Sequence, residues 1–139
     1  MARSYIPAPL RVYVSERAGS RCEYCRIHQD DSASRHTMDH VMPLAHEGGT
    51  DERNLALACM HCNRAKGSNL SGIDPLTRRI VRLYNPRRQR WSTHFALEGA
   101  AIVGRTPTGR AAARLLRMND PKRLEERLYL QSIGHYPER

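Results

Sequence analysis

The chain has 139 residues, enough for one compact domain, and a net charge of +9 at pH 7. Residues 1–74 hold nine basic and nine acidic side chains, whereas residues 75–139 hold fourteen basic and five acidic ones, an asymmetry that favours nucleic acid as the partner. No apolar run approaches the roughly 20 residues that span a bilayer, and the first ten residues lack the apolar stretch of a secretory leader. These features argue against membrane and secreted classes, and we expect a cytoplasmic protein.

The first half of the chain predicts a helix, two strands and a second helix. Apolar residues at helical spacing indicate a helix over residues 8–18, which Gly19 ends. Polar residues 26–35 predict a loop. A short strand is expected over 36–40, ended by Pro43, and an apolar strand over 55–58. Residues 60–66 predict a helix that Gly67 closes.

The second half predicts an irregular stretch, a hairpin and two helices. Glycine and proline punctuate residues 68–90, which we expect to be irregular. Two apolar runs around residues 98–99 favour a hairpin. Thr106 followed by Pro107 is typical of a helix start, and so is Asp120 followed by Pro121; the last helix should reach about residue 132.

Four cysteines form two identical pairs, Cys22-x2-Cys25 and Cys59-x2-Cys62. Two such knuckles can offer four thiolates to one tetrahedral zinc ion in a closed structural site. Two disulfides, or a redox-active Cys-x2-Cys, are the alternatives. A reducing compartment opposes disulfides, and redox chemistry needs only one pair. We therefore expect a structural Zn²⁺.

Further short motifs lie between the knuckles and just after the second one. In chain order they are Asp39-His40 with Pro43-Leu44, Gly48-Gly49-Thr50, Asn54-Leu55, and Asn63 with Lys66-Gly67. Together with the knuckles, this ordered pattern over residues 22–67 resembles the HNH endonucleases of the ββα-metal class. Residues 73–75, 85–88, 91–92 and 117–121 also resemble an extension found in one small bacterial subgroup of these proteins, a match that assigns no chemistry.

The resemblance implies a role for each matching residue. His40 would be the general base, because a neutral imidazole can take a proton from water. Asp39 and Asn63 would hold a catalytic metal ion, and their oxygen atoms favour Mg²⁺ or Mn²⁺. Asn54 would hold the loop that orients His40, and Lys66 would approach a phosphate oxygen. Asn63 stands where the family's name-giving pattern has histidine, which bears on the choice of metal more than on activity.

Elementary chemistry supports part of this assignment. Phosphodiester hydrolysis needs an attacking water, a base, and positive charge near the oxygens that gain negative charge. Asn63 and Lys66 are three residues apart and share a helix face, while Cys62 can face the zinc. Asp39 and His40, however, are neighbours on a predicted strand and should point to opposite faces. Both can serve one site only if the chain bends there.

Arginines dominate the basic residues, 21 of 23, and suit phosphate because the guanidinium donates two parallel hydrogen bonds. We predict that several of them contact nucleic-acid phosphates. The predicted contacts are Arg64, Arg87, Arg88, Arg110 and Arg114. A solvated helix face with internal ion pairs is the alternative.

The combined prediction is an α+β protein. Residues 1–74 would form an HNH core on a four-cysteine zinc knuckle with a leading helix, and residues 75–139 a basic extension of a hairpin and two helices, packed with the core as one unit. The resemblance implies hydrolysis of double-stranded DNA to 5′-phosphate and 3′-hydroxyl ends, without a small-molecule cofactor. A non-catalytic zinc-stabilised nucleic-acid-binding module is the main alternative, and a nuclease for RNA or for structured or single-stranded DNA is another.

Overall fold

A computed structural model of the protein describes residues 5–138; residues 1–4, part of the stretch considered for a leader, and residue 139 lie outside the described residues. The described part contains helices and short strands in mixed order, with two single 3-10 turns at Gln29–Asp31 and Leu44–His46. The helices are α1 (Ala8–Arg17), α2 (Met60–Lys66), α3 (Trp91–His94), α4 (Pro107–Leu115) and α5 (Pro121–Ser132). The strands are β1 (Thr37–His40), β2 (Leu55–Ala58), β3 (Ser71–Ile73), β4 (Ile80–Arg82), β5 (Phe95–Glu98) and β6 (Ala101–Gly104).

The predicted ββα unit is confirmed. β1 and β2 pair antiparallel, with Thr37 opposite Ala58 and His40 opposite Leu55. All four residues of β2 are buried because α1 covers one side of it and the zinc knuckles the other. Cys59 caps α2, and its sulfur accepts a hydrogen bond from the backbone amide of Cys62. The second cysteine knuckle and the start of α2 are therefore the same structure.

The leading helix is fastened to the start of β2. Val14 of α1 is fully buried with Leu55 and Leu57. At the end of α1, the Arg17 guanidinium donates to the carbonyls of Glu52 at 2.7 Å and Leu55 at 2.6 Å. These contacts fix the end of the loop that joins β1 to β2.

The second half of the chain contains one hairpin and one short helix, α3, that were not predicted. The hairpin β5–β6 and the helices α4 and α5 are confirmed, and the Thr106 side chain caps α4 as expected. Residues 68–90, predicted as irregular, instead contain the antiparallel pair β3–β4. Both of these strands are short and pack against α4, with Gly72 close to Ala111. This support comes from a distant part of the chain, so local glycine and proline signals could not indicate it.

One hydrophobic cluster joins the knuckles to the extension. The buried cysteines and Tyr24 pack in the same cluster as Phe95, Ile102 and other apolar side chains of the extension. Trp91 donates from its indole nitrogen to the carbonyl of Tyr24 at 2.7 Å. The extension therefore shares a core with the first knuckle.

None of the helices within residues 5–138 has the length and apolar character needed to cross a membrane.

Candidate active site and zinc centre

The four cysteine sulfurs converge on one point. Cys22, Cys25, Cys59 and Cys62 are all buried, and their sulfur atoms lie within 4.8 Å of one another. Four sulfurs around a tetrahedral zinc ion, with Zn–S bonds of about 2.3 Å, would be about 3.8 Å apart. The Sγ atoms of Cys25 and Cys59 are 3.7 Å apart. The cluster thus fits a structural zinc ion, and no other cluster of three or more metal-ligating His, Cys, Asp or Glu side chains occurs within residues 5–138.

Backbone hydrogen bonds support the sulfurs of both knuckles. The amide of Cys25 donates to Cys22 Sγ and the amide of Cys62 donates to Cys59 Sγ, each at 3.4 Å. The four thiols are free of disulfides. Because all four meet at one centre, the arrangement suits a shared metal ion better than two separate disulfides or one redox pair.

Asp39 is held between the first knuckle and α2. Its carboxylate is only 4% exposed, and Oδ2 accepts a hydrogen bond of 2.5 Å from the hydroxyl of Tyr24. Lys66 Nζ lies 3.2 Å from both carboxylate oxygens. Burial raises the pKa of the Asp39 carboxyl, while Lys66 and Tyr24 act in the opposite direction. Asp39 therefore lies deep in the site, with protein partners on both oxygens.

Lys66 lies inside the protein. It is 2% exposed, and its ammonium also donates to the backbone carbonyls of His40 and Val41, each at 3.2 Å. We predicted that this side chain would approach a phosphate oxygen. The structure instead directs it at the end of β1, because a buried ammonium needs an anion and several acceptors. Its positive charge is fixed beside Asp39.

His40 points to the other face of β1. The strand is regular through His40, and the bend comes only at residues 41–42, so Asp39 and His40 alternate across the strand. His40 Nε2 lies 2.9 Å from the Thr50 hydroxyl oxygen. Burial lowers the pKa of His40, and Asp39 partly opposes this effect. A lowered pKa favours the neutral imidazole, which is the form that can accept a proton.

Asn54 holds the loop that contains Thr50. Its Oδ1 accepts from the amide of Met42 at 2.8 Å, and its Nδ2 donates to the carbonyls of Met42 and Gly49 at 3.0 and 2.8 Å. Gly48 completes this tight packing, because a Cβ there would overlap the Met42 carbonyl. This geometry matches the loop-holding role that the family resemblance implies for Asn54.

Asn63 lies on α2, one turn before Lys66. Its side chain is partly exposed and makes no hydrogen bond with any described residue of the chain. An amide oxygen beside a carboxylate is a donor pair that Mg²⁺ or Mn²⁺ accepts. Asp39 Oδ1, with one hydrogen bond, keeps acceptor capacity. The residues are therefore chemically suited to a hard metal ion, with Lys66 already close to the carboxylate.

Two contributors to the site were missed in the sequence analysis. Tyr24 lies inside the first knuckle, where nothing in the spacing marks it as a partner of Asp39. Thr50 follows the paired glycines and was noted only as part of that motif. The sequence feature that could have indicated Thr50 is its position in the loop that we expected to orient His40.

The five arginines predicted to contact phosphates divide into two groups. Arg87 forms an ion pair with Glu23, and Arg110 forms a bidentate pair with the fully buried Asp74, at 2.9 and 3.0 Å. These two side chains were expected at a nucleic-acid surface and instead satisfy internal carboxylates, because a buried carboxylate requires a counter-charge. Arg64, Arg88 and Arg114 are exposed.

A basic cleft borders the zinc centre. It has a volume of about 620 Å³ and lies between α2 and the start of α5. The exposed cations Arg64, Arg117 and Lys122 line it, and Glu126 is its one acidic lining residue. Arg64 neighbours Asn63 on α2, so the cleft begins on the helix that also borders Asp39.

Comparison with known proteins identifies one relationship. No curated protein and no solved structure matches this chain significantly. The family model described as HNH endonuclease matches residues 22–69. The match begins at the first knuckle and ends just beyond α2, so it contains the cysteine cluster and the whole ββα unit. About a third of this chain, the part that holds Asp39, His40, Asn54 and Asn63, is therefore similar to the HNH endonucleases.

Proposed function

We propose that this chain is a metal-dependent endonuclease that hydrolyses phosphodiester bonds of double-stranded DNA in the cytoplasm. The observation that carries the proposal is the placement of His40, partly exposed at the end of β1 with Nε2 against Thr50. In the neutral tautomer in which Nε2 donates to Thr50, Nδ1 keeps a lone pair. That nitrogen would take the proton of the attacking water.

Asp39 and Asn63 would hold one divalent cation, Mg²⁺ or Mn²⁺. When bound, such an ion supplies positive charge to the phosphate and to the leaving oxygen. Lys66 keeps a second positive charge next to Asp39 and fixes the carboxylate in place. Tyr24 holds the other side of that carboxylate. These two partners orient Asp39, and we do not assign either of them contact with the substrate.

The exposed cations around α2 support nucleic acid as the substrate class. Arg64 leads from the face of α2 near Asn63 into the cleft, where Arg117 and Lys122 add positive charge. Phosphate contacts of this kind give affinity without sequence specificity. A duplex laid across α2 would thus meet cations along the helix that carries Asn63.

The test is cleavage of supercoiled plasmid by purified protein with Mg²⁺, Mn²⁺ or a chelator. We expect metal-dependent nicking or linearisation, and a loss of about 10²- to 10⁴-fold in rate for His40→Ala, the range that a general base contributes. His46→Ala is the matched control, since His46 is a nearby exposed histidine whose Nε2 contacts the Ser68 carbonyl. DNA affinity of both variants should remain at the wild-type level.

A non-catalytic nucleic-acid-binding module is the second candidate. Two observations favour it. Lys66 and Tyr24 engage both carboxylate oxygens of Asp39. Asp39 and His40 also alternate across a regular β1, with no bend between them that would bring both side chains to one face. This candidate predicts DNA binding without cleavage at any metal concentration, with binding unchanged by His40→Ala. Parallel assays on RNA and on single-stranded DNA would identify a different nucleic-acid substrate.

A further inference from the structure

Arg123 of α5 lies against the zinc centre. The residue is buried, with 6% exposure, although it comes from the extension outside the segment that matches the HNH model. Both of its terminal nitrogens lie 3.5 Å from Cys62 Sγ, and one of them lies 3.6 Å from Cys59 Sγ. It also donates to the carbonyl of Leu116 at 3.4 Å. Two cysteines of the second knuckle are thus its main partners.

A buried guanidinium needs a counter-charge, since arginine stays protonated and isolated buried charges are costly. No carboxylate lies within ion-pair distance of Arg123 among residues 5–138. Glu126, which lines the same cleft, is exposed. Apart from the Leu116 carbonyl, the hydrogen-bond acceptors of its guanidinium are the sulfurs of Cys59 and Cys62. Four thiolates around a divalent ion have a net charge of −2, so the loaded site would supply the counter-charge that this guanidinium needs.

We propose that Arg123 is the counter-ion of the zinc centre and that metal binding by the cysteines holds α5 onto the second knuckle. Arg123 would halve the net charge of the loaded site and orient two of its sulfurs by hydrogen bonds. Zinc loss would remove the centre that holds Cys59 Sγ and Cys62 Sγ in place, so Arg123 would lose its fixed acceptors and α5 would be released. This inference does not depend on nuclease activity.

Two other contacts connect the extension to the first knuckle as well. Trp91 donates to the carbonyl of Tyr24, and the Tyr136 hydroxyl donates to the carbonyl of Cys25 at 2.7 Å. Tyr136 follows α5 in the chain, so its contact would loosen with that helix. The extension therefore contacts the first knuckle through backbone groups and the second knuckle through sulfur.

Arg127 provides a matched control on the same helix. It is 2% exposed, as buried as Arg123, but its nitrogens donate to oxygen atoms, the carbonyl of Ala100 at 2.7 Å and Asn119 Oδ1 at 2.9 Å. A substitution there removes a buried guanidinium from α5 without touching a cysteine. Any effect specific to the metal should be absent from Arg127→Met.

The experiment measures zinc retention of the full chain against a chromophoric chelator. For Arg123→Met we expect zinc affinity to fall about 10- to 100-fold, the range found for partners of metal ligands. Methionine fills much of the same volume without charge, so folding should persist. Arg123→Lys should restore part of the affinity, and Arg127→Met should retain zinc as the wild type does. Wild-type zinc affinity in Arg123→Met, or equal losses in both methionine variants, would overturn the proposal.

Hydrogen exchange on the unmodified protein gives a second readout that needs no variant. With progressive zinc removal, amides of α5 should lose protection before those of α4, because no α4 side chain hydrogen-bonds to a cysteine within the described part of the chain. Retained protection in α5, or simultaneous loss in both helices, would contradict coupling through Arg123.

Discussion

The segment that matches the HNH model and the basic extension use charged residues differently. In residues 22–69, polar side chains that are far apart in sequence meet at one place, as Tyr24, Asp39 and Lys66 do. In the extension, part of the positive charge is used inside the protein, by Arg110 on Asp74 and by Arg123 on the cysteines. The order and spacing of motifs therefore indicate which side chains come together in the fold. Net charge alone does not distinguish a binding surface from internal ion pairs.

The largest expected effect tests the HNH-like segment. Asn54→Ala removes three hydrogen bonds that hold together the loop between β1 and β2. At about 1 kcal/mol for each bond, we expect unfolding free energy to fall by about 3 kcal/mol, and cleavage to fall with it because Thr50 would lose its position. Denaturant unfolding measures the first quantity and plasmid cleavage the second.

Asn69→Ala is the control for that variant, since Asn69 is an exposed residue whose side chain makes one hydrogen bond, to the carbonyl of Lys66 at 2.9 Å. It should lower unfolding free energy by no more than about 1 kcal/mol. Equal losses in the two variants would show that Asn54 has no special role in holding the loop.

A smaller effect tests the internal ion pairs of the extension. Hydrogen bonds from Arg110 lower the pKa of Asp74 below its ordinary value, despite the burial of the carboxylate. A depressed pKa stabilises the fold above the unfolded-state pKa of about 3.9, and that stability is lost as pH falls through the folded-state pKa. Asp74→Asn should lower Tm by several degrees at pH 7, and the difference from wild type should shrink below about pH 4.

Asp120→Asn gives the comparison for an exposed pair. Asp120 lies 3.0 Å from Arg117, with side chains 38% and 68% exposed. Solvent screening makes such pairs weak, so Tm should change little at any pH. A pH-independent Tm difference for Asp74→Asn would contradict the assignment of the buried pair as a source of stability.

The smallest effect concerns the exposed arginines. Arg64→Ala should reduce the slope of log K against log salt for DNA binding by about one unit, the effect of one lost phosphate contact. Arg87→Ala should leave the slope unchanged and lower thermal stability instead, because Arg87 pairs with Glu23. Binding titrations over a range of salt concentrations separate the two. A reduced slope for Arg87→Ala would show that Arg87 contacts the nucleic acid, as first predicted.

The sequence was most informative where a residue type and its spacing allow few structural roles. The cysteine spacing predicted the metal cluster, and the apolar run Leu55–Ala58 followed by Cys59 predicted β2 and the start of α2. The hairpin β3–β4 was missed because its strands depend on α4, and the positions of Arg87 and Arg110 were missed because their partners are distant in sequence. Local pattern predicts local structure, while the choice of ion-pair partner is made by the fold.

The regular alternation of β1 has a consequence for insertions and deletions. Sliding β1 by one residue against β2 would turn the carboxylate of Asp39 outwards and bury the imidazole of His40 in its place. Asn54 bonds both backbone groups of Met42, so the loop fixes the register as well as closing the hairpin. A one-residue change in the length of that loop should therefore be more harmful than most substitutions within it, because it would exchange the buried acid and the partly exposed base.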